Sequence, residues 1–220
     1  MTSFFLLACL VATLVDWLAV AKGWRRLEYF AKPGVMILLL ACLLVSSPLG
    51  GGPFWFVIGL VCSLAGDVSL MLPRSRLLLG LLPFLLAHIS YTTGFNQILP
   101  KASLPGILVV LSVALLSWQL YRRLVGAAYR NNRRMAAAIM IYTIAITLML
   151  ISALLCLFKG EWILQAALLV SLGALSFYLS DNLLAWNRLV TPSRYGRLPE
   201  MITYHVGQIL IISGIVLQFR

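Results

Sequence analysis

The chain has 220 residues, of which 62% are hydrophobic and only 10% charged, and its mean hydropathy is +1.00. A soluble domain carries about 25% charged residues, so a soluble globular enzyme, a disordered chain and a secreted disulfide scaffold are excluded, and a polytopic membrane protein remains. The net charge of +11 does not point to nucleic acid, because the basic residues sit in the gaps between apolar runs.

Taken in chain order, the apolar runs predict eight transmembrane helices at roughly 3–21, 33–49, 53–72, 77–99, 104–121, 135–158, 162–186 and 201–219, forming a single all-α domain over 1–220. The first run has no basic segment before it and no clear small-residue cleavage site, so it reads as a retained span. Breakers fill the gaps: Pro33, Pro48, Gly50, Gly51, Pro53, Pro73, Pro100, Pro105, Gly160, Pro192 and Pro199. Pro33 suits the first turn of the second helix. Fourteen of the 17 Lys and Arg residues fall in the odd-numbered connections, among them Arg74, Arg76, Arg194 and five arginines between Arg122 and Arg134. Lys101, Lys159 and Arg220 fall on the other side. The positive-inside rule then places both termini outside and the Arg-rich loops in the cytoplasm, and the chain is expected in a bacterial inner (plasma) membrane. The tryptophans, near the ends of the runs, read as an aromatic belt. None of the four cysteines has metal-ligand or CxxC spacing.

Of six acids, Asp16, Asp67 and Asp181 lie inside apolar runs. Such a carboxyl costs at least ~2.5–3.5 kcal/mol at mid-bilayer and needs a partner, a cavity or a function. At about 1.5 Å per residue, Asp67 and Asp181 each lie roughly 10 Å inside the cytoplasmic edge, Asp16 about 9 Å, Tyr204 and Gln208 about 6 and 12 Å beyond Glu200, and His88 about 18 Å deep. These polar groups share one half of the membrane and predict one pocket open toward the cytoplasm or inner leaflet. His88 and Tyr91 share a helix face, as do Tyr204 and Gln208, and Ser63 lies one turn from Asp67. Asp16 is expected to pair with Arg25 or Arg26, and Lys32 reads either as a topology anchor or as a cation beside a phosphate or a carboxylate. His205 reads as structural. Ser63-x-x-Gly66-Asp67 and Ser180-Asp181 give a short internal similarity, consistent with two four-helix halves in one orientation.

Lys32-Pro33, Ser63-Leu64-Ala65-Gly66-Asp67, Ala87-His88-x-x-Tyr91, Leu179-Ser180-Asp181-x-x-Leu184-Ala185 and Tyr204-x-x-x-Gln208 occur in that order through most of the chain. In these segments the chain resembles the lysoplasmalogenases, also called the YhhN-like membrane proteins. It departs from their pattern at His205, where a second aromatic is expected beside Tyr204. The resemblance implies a hydrolase that cleaves the vinyl ether bond of a lysoplasmalogen, or of a related lysophospholipid, to a fatty aldehyde and a glycerophospho-base. Proton delivery to the β carbon needs one protonated carboxyl, a state that burial and a second nearby carboxylate both favour. Asp67 and Asp181 are therefore the expected catalytic pair, acting as acid and base in either order. His88 and Tyr91 would orient water or the ether oxygen. Tyr204 and Gln208 would hold the glycerol oxygen, and Lys32 would lie near the phosphate. Ser63 and Asn182 complete the expected substrate-binding set. The reading calls for a lysophospholipid and membrane lipids as partners, no nucleic acid, no protein partner, no cofactor and no metal. A small-molecule or proton-coupled transporter is the alternative. A metal-dependent hydrolase and a purely structural membrane protein are further rivals.

Overall fold

The structure, a computed structural model, describes residues 2–47, 52–72, 77–193 and 195–220. Pro48, Gly50, Gly51, Pro73, Arg74, Arg76 and Arg194, used above as breakers or loop charges, lie outside the described residues. Among the described residues there are eight α-helices and no strand: α1 (Thr2–Lys22), α2 (Arg25–Ser46), α3 (Gly52–Met71), α4 (Leu77–Phe95), α5 (Leu104–Asn131), α6 (Arg133–Leu155), α7 (Leu164–Leu189) and α8 (Leu198–Gln218). A 3-10 turn, Cys156–Phe158, extends α6. Seven of these helices are long and apolar enough to cross a membrane, and the apolar part of α4, Leu79–Phe95, is shorter. The chain is an all-α polytopic integral membrane protein. Leucines, isoleucines and phenylalanines such as Phe4, Leu7, Leu79, Leu111, Ile144 and Leu172 stand exposed on the outside of the bundle, where lipid rather than water covers them.

Three boundaries differ from the hydropathy reading. The second helix begins at Arg25, so Pro33 lies inside it rather than in its first turn. Glu28 and Lys32, one turn apart, are both buried, and that packing carries the helix through the charged segment. Gly23 and Trp24 alone join it to α1; Gly23 takes φ +70, where a side chain would be strained. The Arg122–Arg134 segment is not a loop. Helix α5 runs on to Asn131 because Leu124, Ala127 and Ala128 are buried at helical spacing, while Arg122, Arg123 and Arg130 face outward. Asn132 alone separates α5 from α6: its N–H closes α5 on the Ala128 carbonyl at 2.9 Å, and its Oδ1 accepts from the Arg134 N–H at 2.8 Å. Lastly, α4 ends at Phe95 rather than 99. Its terminal carbonyl is taken by the Lys159 ammonium at 2.6 Å, a helix-end role for a cation. Lys159 is buried there, and burial holds it below its ordinary pKa.

Helices α7 and α8 approach backbone to backbone. A Cβ added to Gly173 would lie 2.7 Å from the Ile211 nitrogen and 2.8 Å from the Gly207 carbonyl oxygen; one added to Gly207 would lie 2.8 Å from the Phe177 nitrogen. Small residues permit such contact where lipid offers no hydrophobic drive for helix association. Between α3 and α4, glycines receive aromatic rings instead: Gly59 meets Tyr91, Gly66 meets Phe84, and Gly94 meets Phe56. Gly207→Val should therefore cost about 1–3 kcal/mol by overpacking, read as a lower melting temperature in detergent. Gly126→Ala, whose Cβ would have nothing within 4 Å, should melt at or slightly above wild type, by up to about 1 kcal/mol. If Gly207→Val melted like wild type, the close α7–α8 approach would not be what holds those helices.

Candidate active site

Two groups of polar side chains cross the bundle, the first made of two clusters one helical turn apart. The first is centred on Asp67 of α3. The Lys32 ammonium from α2 lies 2.9 Å from Asp67 Oδ1, and the Tyr204 hydroxyl from α8 donates to Asp67 Oδ2 at 2.7 Å. Lys32 Nζ also stands 5.2 Å over the Tyr204 ring, a cation–π arrangement. One turn deeper, Tyr91 donates to Gln208 Oε1 at 2.8 Å, and Gln208 Nε2 donates to Ser63 Oγ at 3.0 Å. Helical spacing dictates this: Ser63 and Asp67 share one face of α3, as Tyr204 and Gln208 do on α8.

Asp181 of α7 anchors the second group. Its Oδ2 lies 2.8 Å from His88 Nε2 of α4 and accepts the Tyr142 hydroxyl of α6, which is itself 3.1 Å from His88 Nε2. Phe177 lies between the two groups, its ring centroid 4.9 Å from that of His88 and 5.4 Å from that of Tyr204. Phe84 packs edge-on against both Phe177 and Tyr204. Phe177 thus touches both the Asp67 group and the Asp181 group, with Phe84 packed beside it.

The expected open pocket is absent among the described residues. Asp67, His88 and Gln208 have no exposed surface, and Asp181 keeps 7%. Asp181 lines a crevice of about 10 Å³ with Tyr142, Asn182 and apolar residues of α4 to α7, enough for about one water. The reason is packing: phenylalanine and tyrosine rings fill the space that the spacing of polar residues left unassigned. What does open at this end of the bundle is a cavity of about 290 Å³ lined by Arg25, Glu28, Tyr29, Met71, Arg188 and Arg197. It lies one helical turn beyond Lys32 on α2 and beyond Asp67 on α3, about 6 Å along each axis.

Eight of the nine expected site residues join the two groups: Lys32, Ser63, Asp67, Tyr91, Tyr204 and Gln208 in one, His88 and Asp181 in the other. Asn182 turns its amide back to the Tyr178 carbonyl at 2.7 Å. Tyr142 was missed; its signal was a phenol facing inward beside Thr143 in an otherwise apolar run. Asp16 does not pair with Arg25 or Arg26. It turns inward, fully buried, with its Oδ2 3.9 Å from His205 Nδ1. That nitrogen accepts the Trp17 indole N–H at 3.2 Å, which turns the polar edge of this tryptophan toward α8. Three groups of this cluster, the Asp16 carboxyl, Thr13 Oγ1 and His205 Nε2, have no hydrogen-bond partner among the described residues. Among those residues, no group of three His, Cys, Asp or Glu side chains is placed to hold a metal.

The fold and these contacts can be set beside known proteins. The chain is 30% identical over 210 residues to a mouse protein named lysoplasmalogenase TMEM86B, covering 94% of this chain and 83% of that one. It is 26% identical over 188 residues to a Mycobacterium bovis protein named lysoplasmalogenase, covering 81% and 67%. An Escherichia coli protein named uncharacterized membrane protein YhhN is 35% identical over 118 residues, covering 51% and 55%. No solved structure matches. The model of the YhhN family matches residues 27–215, a range that contains every residue of both polar groups. The chain belongs to the YhhN family.

Proposed function

We propose that this chain is a membrane hydrolase that cleaves the vinyl ether bond of a lysoplasmalogen, or of a related lysophospholipid, to a fatty aldehyde and a glycerophospho-base. The names of the mouse and mycobacterial relatives support the reaction class. The observation that carries the reading is the pair of buried carboxyls, each held by a tyrosine hydroxyl and by a lysine or histidine, on either side of Phe177. The Arg-rich end is assigned to the cytoplasm by the positive-inside rule.

Asp67 is ion-paired with an ammonium at one oxygen and accepts a phenol O–H at the other. This fits a base that also stabilises a cation. Asp181, with His88 at 2.8 Å to return a proton, fits the general acid. The sequence of steps resembles two-carboxyl glycosidase chemistry. Asp181 gives its proton to the β carbon, the alkene π pair forms the new C–H bond, and the ether oxygen shares the positive charge. Phe84 and Phe177 offer ring faces to that cation. Water adds to the α carbon and passes a proton to Asp67. The hemiacetal hydroxyl then loses its proton to Asp181, the carbon–oxygen bond to glycerol breaks, and Asp67 protonates the departing oxygen. One water is consumed and both carboxyls return to their starting states. Ser63, Tyr91, Tyr204 and Gln208 would fix the glycerol side, and Asn182 borders the crevice that reaches Asp181. Because both acids are closed in, substrate must part helices to reach them.

Purified protein given a lysoplasmalogen should release aldehyde. Asp67→Asn and Asp181→Asn should each slow that release by about 10²–10⁴-fold without unfolding; wild-type rates in both folded variants would rule out the mechanism. Tyr142→Phe should lower kcat about tenfold, the worth of one hydrogen bond to a charged group, with little change in KM. An equal KM effect would place Tyr142 in binding instead. Lys32→Met should destabilise the protein by about 3–5 kcal/mol, since it leaves Asp67 buried without its cation. Adding Asp67→Asn to it should restore most of the melting temperature and none of the activity. Restored activity in the double variant would show that the ion pair only holds helices together. Labelled solute crossing liposomes with no aldehyde formed would favour the transporter.

A further inference from the structure

Lys32 is consumed by Asp67 and 2% exposed, so a lipid phosphate needs another cation. The cavity above it supplies several. Its lining carries three arginines and one acid, Glu28. Glu28 is taken by Arg197, at 2.8 Å. Arg25 and Arg188 are exposed and make no ion pair with an acid among the described residues. Two helices also begin at this cavity: Arg25 is the first residue of α2, and Arg197 is the N-cap of α8. Helix starts favour anions. The competing carbonyl of Met71, at the end of α3, is covered by the Tyr29 hydroxyl at 2.6 Å. Glu200, buried in the first turn of α8, faces Arg188 and Arg197 from beneath, and the three arginines still outnumber Glu28 and Glu200. At about 290 Å³ the cavity lies at the small end of ligand cavities, which start near about 300 Å³, so it fits a headgroup and not a whole lipid.

Distance agrees. In a lysophospholipid whose sn-1 chain is joined through a vinyl ether, seven bonds lead from phosphorus to the β carbon, or about 8 Å at roughly 1.2 Å of advance per bond. From the cavity, Asp67 lies four residues down α3 from Met71, about 6 Å, and Asp181 lies seven down α7 from Arg188, about 10 Å. We infer that the cavity bounded by Arg25, Arg188 and Arg197 is the phosphate-recognition site for a lysophospholipid headgroup, positioned so that the sn-1 linkage hangs at the depth of the two carboxyls. The inference rests on the lipid-hydrolase reading for its ligand class, but binding tests it separately from hydrolysis.

The experiment measures binding of a radiolabelled 1-O-alkyl lysophosphatidylcholine, whose saturated ether leaves no vinyl bond to cleave, to the full chain in nanodiscs, beside the matched 1-O-alkylglycerol without phosphate. Wild type should prefer the phospholipid by tenfold or more. Arg25→Gln with Arg188→Gln should cut that preference at least tenfold, and each single change should cut it in part. Lys101→Gln, at the opposite end, should leave it unchanged. Inorganic phosphate at millimolar concentration should not displace the lipid. Equal binding of the two lipids by wild type, or an unchanged preference in the arginine variants at wild-type melting temperature, would overturn the proposal. Efficient displacement by inorganic phosphate would overturn the headgroup assignment and mark a free-phosphate site. Absence of aldehyde release alongside arginine-dependent lipid binding would sink the hydrolase and leave the headgroup site standing.

Discussion

Lys32 and Asp67 meet at 2.9 Å with almost no exposed surface, in a chain that has very few charges to place. Either ion alone would be expensive at that depth, and attraction between them offsets desolvation only when the remaining polar atoms are also satisfied. Tyr204 supplies the further donor, and it brings α8 to the pair. One contact therefore ties three helices and fixes their rotation, since each must turn a particular face inward. Ser63, Tyr91 and Gln208 can then meet one turn deeper only because Asp67 and Tyr204 already do.

The second polar group solves the same problem with different chemistry. Asp181 is held by a histidine and a phenol rather than an ammonium, so a proton has somewhere to go and come from. Phe177 packs against His88 of one group and Tyr204 of the other. Two acids in unlike surroundings are what the proposed acid–base chemistry requires. The arginines above add charge of the opposite sign where a lipid's phosphate would sit, so the polar plan runs from headgroup depth inward.

Much of this was legible because lipid punishes exceptions. The number of helices followed from run length. The shared faces of Ser63 with Asp67 and of Tyr204 with Gln208 followed from helical spacing, whereas His88 and Tyr91, one turn apart, go to different groups. What hydropathy could not see was amphipathic helix outside the apolar window. Helix α2 passes through Glu28 and Lys32, and α5 passes through Arg122 and Arg123, because burial of one stripe, not mean apolarity, sustains them. Tyr142 escaped notice because a phenol costs little in an apolar run and so leaves no alarm in composition. The closure of the site was also hidden: spacing lists polar residues, while Phe84 and Phe177, which fill the gap, look like ordinary core. Asp16 was misdirected toward arginines near in sequence, whereas its neighbour His205 lies 189 residues away on α8.

Glycine contacts hold α7 to α8 and α3 to α4, whereas the site's hydrogen bonds and ion pair all run between those units or to α2 and α6. The two kinds of seam respond differently to a visitor. Nothing a lipid carries can replace a backbone or a ring pressed on a glycine, but water, a glycerol hydroxyl or a phosphate oxygen can take over each polar link in turn. The molecule is thus built as rigid paired staves joined by exchangeable latches, and the latches are the same groups assigned to chemistry. For the proposed hydrolase, entry of substrate and assembly of the reacting geometry would then be one event, with the cost of unfastening each latch returned by the ligand that replaces it.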